Sequence, residues 1–507
     1  MKKIIGIDLG TTYSAIATLD DLGNPEIIPN PENNNKITRS AVYIGKDNAI
    51  VGDKALEASI TEPKKVAKKA KIKMEDEVVF STKEGEWVDE KKGYTPSQVS
   101  SLILSKLKDY TSGVKKAVIT VPAKFAEASR AATLDAAKLA GLDAELINEP
   151  TAAVLHYANL PGVKISGRVL VFDLGGGTFD VTIAKIKDKK VDVITSRGDK
   201  HLGGEDFDQE LIKIIDKKYK KAKGKGLDVK DSKLAQTAEK IKKILSSKEK
   251  VTEIIEGPKG PHKIEIKREE FEESIDTYLE KIKMLMEEVL DESKFKPSNI
   301  SQSLLVGGSS RIPIVSKIIT KIMKKPPVKG VNVDEAVALG AAIYAGLQNK
   351  TDLNSAQKKA MAKVDLTDVC NFYMGTLAAF QDQERQQWGI ANTIIIPRDE
   401  KLPCSVTKTY YPLADGQESI QWSVTQSEGE ETDKEFVTII HEEKISLSKK
   451  SLATDKINVT YSYDTSGKMH CVVEDERSGK KTEKNINITE TSKSIKQLKE
   501  DLDFDIE

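Results

Sequence analysis

The chain has 507 residues, too many for one compact hydrophobic core, so we expect a large N-terminal unit with internal divisions and a smaller unit after it. Acidic and basic residues number 79 each, and this balance argues against nucleic acid or a membrane surface as a general partner. No stretch is long and apolar enough to span a bilayer, and the chain runs from Met1 almost directly into an apolar strand, so we expect a cytoplasmic protein without a signal peptide.

Two distant segments, residues 5–14 and 171–180, repeat one pattern: an apolar strand that ends in Asp, followed by a glycine-rich turn that contains Thr. Glycine lets backbone N–H groups approach a phosphate closely, and the Thr hydroxyls add further donors. An Asp at each strand end supplies a hard oxygen ligand for Mg²⁺, which keeps most of its waters while it bridges phosphates. The repeat therefore predicts that a nucleoside triphosphate binds between two related halves.

The remaining elements follow in chain order. Strand-like and helix-like patterns alternate to about residue 350, as in an α/β domain with a central sheet, and residues 96–110, 127–140 and 231–247 have the apolar spacing of helices. Residues 351–362 are polar and rich in Lys, Gln and Asn, which favours a helix end leading into a linker, and we place that linker at residues 351–367. Residues 368–488 alternate short runs of Thr, Val, Ile and Tyr with turn signals, which predicts an antiparallel β unit. Residues 489–507 form a short tail.

Two segments extend the predicted phosphate site to a whole nucleotide. Residues 305–313 form a strand followed by a Gly-Gly turn, and Arg311 in this segment is suited to lie against a ring face. Glu239, Lys242, Lys243 and Ser246 share one helix face that could grip an adenosine. The alternative for that helix is a solvated charged face.

Several segments together resemble the heat shock protein 70 chaperone family. They are both phosphate motifs and residues 149–153, 198–208, 306–311 and 334–342, and the resemblance extends in family order from residue 1 to about 488. It implies a two-lobed α/β ATPase domain of the actin and sugar-kinase type over residues 1–350, followed by an antiparallel β-sandwich domain over residues 368–488 that binds extended apolar peptides.

The resemblance also implies site residues. Asp8, Asp173 and Asp180 would hold hydrated Mg²⁺, while Asp8, Asp173, Lys71, Glu149 and Thr178 would carry the chemistry. The residues that would surround the ATP or ADP are Gly10, Thr11, Thr12, Tyr13, Gly175, Gly176, Gly177, Thr178, Gly203, Gly204, Glu205, Glu239, Lys242, Lys243, Ser246, Gly307, Gly308, Ser309, Ser310, Arg311 and Asp334.

The assignment of Lys71 depends on register. Counting from Thr61, the family places its phosphate-contacting lysine at this position, yet Lys64, Lys65, Lys68, Lys69 and Lys73 lie close to it in the chain. The alternative is a merely solvated basic segment.

The chain departs from the family pattern at two places. Lys243 replaces an arginine that stacks on adenine, and it lacks the planar guanidinium, so we expect weaker base recognition. In the linker, Asp365 and Thr367 replace apolar residues, so docking of the linker should lose a few kcal/mol at most, at about 1.5 to 3 kcal/mol per buried aliphatic side chain. Pro122, Arg130 and Asp368 resemble the relay between nucleotide and linker.

The β unit resembles the peptide-binding sandwich of the family. By position, Ile420 would form the floor of an apolar pocket, with Tyr410, Leu413 and Trp422 near it; the alternative is that Ile420 belongs to the ordinary sandwich core. The tail is too short to form the helical lid of full-length relatives, so we expect a lidless, divergent member in which bound peptide exchanges quickly.

The function that we predict is an ATP-dependent molecular chaperone. It would hydrolyse ATP, with Mg²⁺, to control the binding and release of unfolded polypeptide clients, and the family implies a J-domain co-chaperone and a nucleotide-exchange factor as partners. A first alternative is a nucleotide-bound scaffold or exchange factor for another chaperone that cycles little. A second is a small-molecule kinase on the same fold, although the β unit offers no recognisable sugar pocket.

Overall fold

The computed structural model describes residues 4–160, 166–328, 332–382, 387–448, 451–486, 502 and 505–506. The first lobe comprises β1 (Ile4–Asp8), β2 (Tyr13–Leu19), β3 (Pro25–Ile27), β4 (Thr38–Arg39), β5 (Ala41–Ile44), β6 (Asn48–Val51), α1 (Asp53–Ala58), β7 (Val66–Lys68), β8 (Val79–Ser81), β9 (Glu86–Val88), α2 (Pro96–Lys108), β10 (Lys116–Val121), α3 (Glu127–Leu139), β11 (Asp143–Asn148) and α4 (Glu149–Ala158).

The central sheet of the first lobe has the strand order β11-β10-β1-β2-β3, with β4 paired to β2. β1 is parallel to β10 and antiparallel to β2, and its Ile5 and Ile7 are fully buried. α2 begins with a capping box, in which the Thr95 hydroxyl accepts a bond from Gln98 N (3.2 Å) and the Gln98 side chain accepts one from Thr95 N (2.9 Å). Apolar strands and a capped helix therefore build the layer that carries the first predicted phosphate turn.

The second lobe repeats this plan with a second sheet, in the order β17-β12-β13-β14-β18. Its elements, with the helices that follow, are β12 (Gly167–Leu174), β13 (Phe179–Lys187), β14 (Lys190–Asp199), α5 (Gly204–Lys223), α6 (Ser232–Leu245), β15 (Lys250–Ile255), β16 (His262–Lys267), α7 (Arg268–Ser274), α8 (Asp276–Glu292), β17 (Gln302–Val306), α9 (Pro313–Met323), α10 (Ala336–Gln348), α11 (Ser355–Met361) and β18 (Asp365–Thr367). The helices predicted around residues 96–110, 127–140 and 231–247 are confirmed as α2, α3 and α6.

Two helices cross between the lobes. α4 follows the first sheet in the chain but packs against β12, β13 and β14, whereas α10 follows the second sheet but packs against β1, β2 and β10. Gly340 permits their close approach, because a Cβ atom there would lie 1.7 Å from the carbonyl oxygen of Ala152. The crossing sets the two sheets side by side, so the ends of β1 and β12 open onto a common cleft.

The segment predicted as a linker, residues 351–367, is structured. It contains α11, and β18 pairs in parallel with β14 at the edge of the second sheet. Val364 is buried and Leu366 packs against the core between the lobes, whereas Asp365 is exposed. Replacement of an apolar residue by Asp365 therefore removes no burial from the docked strand, which corrects the loss expected at that position.

The C-terminal unit consists of two four-stranded antiparallel sheets, β20-β19-β22-β23 and β21-β24-β25-β26. Their strands are β19 (Tyr373–Asp382), β20 (Gln387–Ile396), β21 (Cys404–Tyr410), β22 (Ser419–Ser427), β23 (Thr438–Ser446), β24 (Ile457–Tyr463), β25 (Met469–Asp475) and β26 (Lys480–Asn485). Buried side chains from both sheets, among them Met374, Trp422 and Tyr461, form one core. These antiparallel sheets and the mixed sheets of the two lobes are consistent with the predicted fold class.

Of the predicted tail, the structure describes Leu502 and a short strand, β27 (Asp505–Ile506), which pairs in parallel with β6 of the first lobe. The predicted absence of a lid concerns residues 489–507, most of which lie outside the described part of the chain. Within the described ranges, no helix combines the length and apolarity needed to cross a membrane.

Candidate functional site

The two glycine-rich turns predicted from the sequence meet across the cleft. The first turn joins β1 to β2, and the second joins β12 to β13. A Cβ atom at Gly176 would lie only 2.0 Å from the Thr12 hydroxyl oxygen, so a glycine is needed where the second turn passes the first. Each lobe therefore contributes one of the repeated turns to a single site.

The cleft behind these turns has an empty volume of about 1320 Å³, including the solvent at its mouth. Most predicted nucleotide residues line it: Asp8, Gly10, Thr11, Thr12, Tyr13, Lys71, Glu149, Asp173, Gly175, Gly176, Thr178, Glu239, Lys242, Lys243, Ser246, Gly307, Gly308, Ser309, Arg311 and Asp334. Apolar side chains that the sequence reasoning missed also line it, namely Ile37, Ile312, Val333 and Val337. Ile312 lies within the segment 305–313 and Val337 within the segment 334–342, and both segments were predicted to belong to the site, so these two side chains could have been found from the sequence.

Six predicted residues surround the cleft without lining it: Gly177, Asp180, Gly203, Gly204, Glu205 and Ser310. Several of them support the second turn. The N–H groups of Gly204 and Glu205 donate to the carbonyl oxygens of Gly175 (3.0 Å) and Gly176 (2.8 Å). The Ser309 hydroxyl donates to the same Gly175 oxygen at 2.8 Å. The start of α5 and the turn after β17 thus hold the second phosphate turn in place.

A buried ion pair lines the cleft together with residues of the two glycine-rich turns. The Lys71 ammonium contacts the Glu149 carboxylate, and the two side chains are 5% and 8% exposed. Burial lowers the pKa of Lys71, but the negative charges of Glu149 and Asp8 more than offset this and raise that pKa above its ordinary value. Of the six lysines between residues 64 and 73, Lys71 alone lines this cleft.

Three carboxylates lie beside this pair. Asp8 accepts a bond from the Thr120 hydroxyl (3.2 Å), and Asp180, which is opposite Asp173 in the β12–β13 ladder, accepts one from Ala123 N (3.3 Å). Removal from water, followed by the charge of Glu149, raises the pKa values of Asp8 and Asp180 to about 7. The same two causes raise the pKa of Asp173 well above its ordinary value. The site therefore concentrates negative charge that a cation would stabilise.

The opposite end of the cleft is lined by α6. Lys243 donates to the hydroxyl of Tyr13 (2.8 Å) and pairs with Glu239 (2.8 Å), so the predicted base-contacting lysine is anchored across the lobes. Arg311 pairs with Asp334 at 2.6 Å at the mouth of the cleft. This end combines apolar walls with a few charged side chains, which is the composition of a small-molecule site.

Comparison with known proteins identifies the family. A family model described as Hsp70 protein matches residues 4–504. A protein named Chaperone protein DnaK from Thermotoga neapolitana is 36% identical over 496 residues, a match that covers 94% of this chain and 79% of that protein. A protein of the same name from Thermosipho africanus is 36% identical over 500 residues, with 94% and 79% covered. The chain belongs to the Hsp70 family.

Membership in the Hsp70 family confirms the predicted activity at the level of the class. The protein is an ATPase and an ATP-dependent chaperone, because members of this family couple ATP hydrolysis to chaperone action. The cleft between the lobes is the place where the structure assembles phosphate turns, carboxylates and a lysine.

Two of the predicted relay residues of this Hsp70 protein, Arg130 and Asp368, are joined by hydrogen bonds through Asn148. Arg130 donates to Phe125 O (3.2 Å) and to the side-chain oxygen of Asn148. The Asn148 amide donates in turn to Asp368 at 3.2 Å, and the Thr151 hydroxyl donates to the same carboxylate oxygen at 3.1 Å. The structure thus brings Arg130 and Asp368 into one network.

Pro122 lies at the other end of the relay. It follows β10 and precedes Ala123, whose N–H bonds to Asp180. Pro122 is therefore close in the chain to Ala123, which contacts the Asp180 carboxylate, and to Phe125, whose carbonyl oxygen accepts the bond from Arg130.

The sandwich of this Hsp70 protein is docked on both lobes. On the first lobe, the Tyr463 hydroxyl donates to Glu127 at 3.1 Å, and burial raises the pKa of that carboxyl. On the second lobe, Arg398 pairs with Glu292 at 2.7 Å. Because the sandwich contacts both ATPase lobes, its docking depends on the positions of the two lobes.

The four predicted peptide residues occupy different environments. Leu413 is 56% exposed in the loop after β21, whereas Ile420 and Tyr410 are partly buried against the sandwich core. Trp422 is 2% exposed and donates to the Tyr461 hydroxyl at 3.3 Å. A fully buried indole offers no surface to a ligand, so Trp422 is corrected to a core residue.

Proposed function

We propose that this Hsp70 protein hydrolyses ATP with Mg²⁺ in the interlobe cleft and thereby controls the docking of the sandwich and the capture of extended apolar segments. The buried pair Lys71–Glu149, standing where the two glycine turns meet, is the observation that carries the proposal. Phosphoryl transfer requires positioning and charge neutralisation more than a strong base, and a buried lysine surrounded by carboxylates provides both.

The residues present fit a hydrated magnesium ion. One oxygen of Asp180, Oδ1, is buried without a hydrogen-bond partner, and the pKa values of Asp8 and Asp180 are raised toward 7 in the protein alone. No three carboxylate, His or Cys side chains of the described residues stand close enough to ligate one ion directly. We therefore assign Asp8, Asp173 and Asp180 to the ion's water shell and phosphate environment, where Mg²⁺ would neutralise developing phosphate charge.

The other roles follow from position. Lys71 would place a positive charge beside the phosphates. Glu149 fixes the orientation of the lysine, and its carboxylate can also accept a hydrogen bond from a water molecule. Thr178 is buried in the second turn, where its carbonyl oxygen accepts the Gly175 N–H at 3.0 Å, so its hydroxyl is held near the phosphates. The remaining turn residues supply backbone N–H donors.

The sandwich supports a peptide site between diverging strands. β22 pairs with β19 only through Tyr373–Gly375, and the two strands remain in contact to Leu377, whose N–H bonds to Ser423 Oγ at 3.0 Å. Ile420 lies in the diverging part of β22, and Phe380 on β19 is 46% exposed. We propose that an extended apolar segment pairs with an open strand edge here and places a side chain against Ile420.

Clients of this site would be unfolded polypeptides, and a J-domain co-chaperone and an exchange factor would act on the ATPase cycle. We propose the cytoplasm as the location. The domains that we assign are residues 1–350 for the ATPase unit, 351–367 for the linker and 368–488 for the sandwich.

Single-turnover ATP hydrolysis tests the proposal. Lys71→Met should slow hydrolysis by about 100-fold or more, because it removes the charge at the phosphates. Lys73→Met is the matched control, since Lys73 belongs to the same turn but pairs with Asp76 and is 34% exposed. An extended apolar peptide should accelerate the wild-type rate and be released on addition of ATP. An unchanged rate with peptide and no release would favour the scaffold instead, and no binding of Mg-ATP would refute both.

A further inference from the structure

A second cavity adjoins the nucleotide cleft between the lobes. Thr11, Thr12, Glu239 and Lys242 line both spaces, so the first glycine-rich turn and α6 contribute to the wall between them. We call this second space the side cavity. Its empty volume is about 700 Å³, including the solvent at its mouth. A water molecule occupies about 30 Å³ in the liquid, so a small ion with several waters fits inside.

Six of the seven charged side chains that line the side cavity are arranged in ion pairs between a cation and a carboxylate. The pairs are Lys69–Glu205 at 2.6 Å, Arg39–Glu239 at 2.9 Å and Lys242–Asp208 at 2.8 Å. The seventh is Lys68, whose ammonium makes no ion pair or hydrogen bond with any of the described residues. The side cavity therefore has one positive charge that no carboxylate neutralises by direct contact.

The surroundings of Lys68 disfavour its charged form. Lys68 ends β7 and is partly buried, and this burial lowers its pKa below the ordinary value. The positive charges of Lys69 and Arg39 lower the pKa further, while Glu205 and Glu239 oppose the shift only in part. An opposite charge within about 4 to 6 Å favours the charged form of a lysine. An anion in the side cavity would therefore stabilise the Lys68 ammonium.

Two buried polar atoms of the side-cavity residues also lack a hydrogen-bond partner among the described residues. Arg39 Nε is a donor, and a phosphate oxygen can accept from it. Asp208 Oδ1 is an acceptor, and inorganic phosphate, which keeps a proton at neutral pH, can donate to it. Together with Lys68, these atoms offer the donors and the acceptor that a protonated tetrahedral oxyanion can use.

Lys68 and Lys71 belong to one short segment but face different spaces. Lys71 lines the cleft and not the side cavity, whereas Lys68 lines the side cavity and not the cleft. Thr12, in the first glycine-rich turn, lines both. A phosphate cleaved beside Lys71 would therefore have a second unneutralised lysine on the other side of this wall.

We propose that the side cavity is a binding site for inorganic phosphate, the product that ATP hydrolysis releases, and that Lys68 supplies the charge that holds it. The inference rests on the proposed function, which supplies the phosphate. A lysine ammonium binds phosphate as a point charge, so Lys68→Arg should keep the site and Lys68→Met should weaken it. Because the side cavity lies outside the cleft, it should bind phosphate even when a nucleoside triphosphate fills the cleft.

Titration of inorganic phosphate, followed by the line width of its phosphorus NMR resonance, tests the site in the full chain. The protein is first saturated with a non-hydrolysable Mg-ATP analogue, whose terminal phosphate group occupies the cleft. Lys68→Met should raise the dissociation constant for inorganic phosphate by about tenfold, the factor that 1.4 kcal/mol represents. Lys64→Met is the matched control, because it removes the same charge from the same segment, yet Lys64 is exposed and lines neither space. Its dissociation constant should stay within about twofold of wild type.

Several outcomes would overturn the proposal. They are the absence of saturable phosphate binding in the wild type, equal affinities in wild type and Lys68→Met, and phosphate binding that is present with ADP but lost with the ATP analogue, which would place the ion in the cleft. If Lys68→Met does not fold, as judged by thermal unfolding, Lys68→Gln decides between the same results.

Failure of the ATP analogue to bind would instead refute the proposed function. Inorganic phosphate is then titrated without nucleotide into wild type, Lys68→Met and Lys71→Met. An affinity that falls in Lys68→Met and not in Lys71→Met would support the side cavity, and the reverse result would overturn it.

Discussion

Asp368→Ala tests how the linker holds the docked sandwich. The carboxylate accepts bonds from the Asn148 amide at 3.2 Å and the Thr151 hydroxyl at 3.1 Å, and these side chains belong to the junction of β11 and α4. A third donor, the N–H of Val369, lies 2.9 Å from the other carboxylate oxygen. Alanine removes the acceptor but leaves all three donors in place. Asn148 and Thr151 are 6% and 1% exposed, so water cannot easily replace their lost partner in the docked state.

The magnitude follows from two opposing terms. A buried donor without a partner costs about 1 to 3 kcal/mol, and the side-chain donors of Asn148 and Thr151 are affected together with the neighbouring N–H of Val369. Against this, burial raises the pKa of Asp368, which shows that the docked carboxylate is itself destabilised, and alanine removes that penalty. We expect a net loss of about 2 kcal/mol, which shifts the equilibrium between docked and undocked linker by about thirtyfold.

Hydrogen–deuterium exchange in the presence of ATP measures this shift directly. The amides of β18 pair with β14, so their protection reports the docked fraction. Asp365→Ala is the matched control, because this carboxylate is 65% exposed and lies 3.6 Å from Lys190, a pair that contributes at most about 1 kcal/mol. Protection of β18 that is unchanged in Asp368→Ala, or equally reduced in Asp365→Ala, would refute the reasoning.

Three further predictions concern the cleft and the two cores. Gly176→Ala should weaken Mg-ATP binding at least tenfold in calorimetry, because its Cβ would lie 2.0 Å from Thr12, and chelation of Mg²⁺ should weaken binding in the wild type. Trp422→Ala should destabilise the sandwich by about 3 to 5 kcal/mol in urea unfolding, and a smaller loss would mean that its site collapses. Burial lowers the pKa of His156 from 6.5 to about 4, so on acidification the unfolded chain binds the proton before the folded chain does. The stability that is present above pH 6.5 should therefore fall as the pH is lowered, by about 2 kcal/mol at pH 5. His156→Leu should lack this loss.

The parts of the site that could be predicted from the sequence are those in which the chemistry is local. Asp8 and Asp173 each lie at the end of a strand just before a glycine-rich turn, so their position at the cleft could be predicted from a short segment. The contact that Arg39 of the first lobe makes with Glu239 of the second, at 2.9 Å, could not be found in this way, because the two residues lie 200 positions apart in the chain. The full burial of Trp422 could not be predicted from β22 alone, because Tyr461, to which its indole donates, belongs to β24 of the opposite sheet.

Asn148 and Glu149 explain how a nucleotide cleft and a linker can be connected without a long path. They are consecutive residues at the end of β11 and the start of α4, yet Glu149 contacts Lys71 in the cleft and Asn148 contacts Asp368, the first residue after the linker. Pro150 stiffens this junction by fixing the first turn of α4. In the proposed mechanism, a change in the charge facing Glu149 during hydrolysis would therefore act on a backbone that also carries the contact to Asp368. If the junction is the coupling element, Asp368→Ala should abolish the effect of ATP on peptide release while leaving hydrolysis at Lys71 intact, and loss of both activities together would instead place the coupling in the cleft itself.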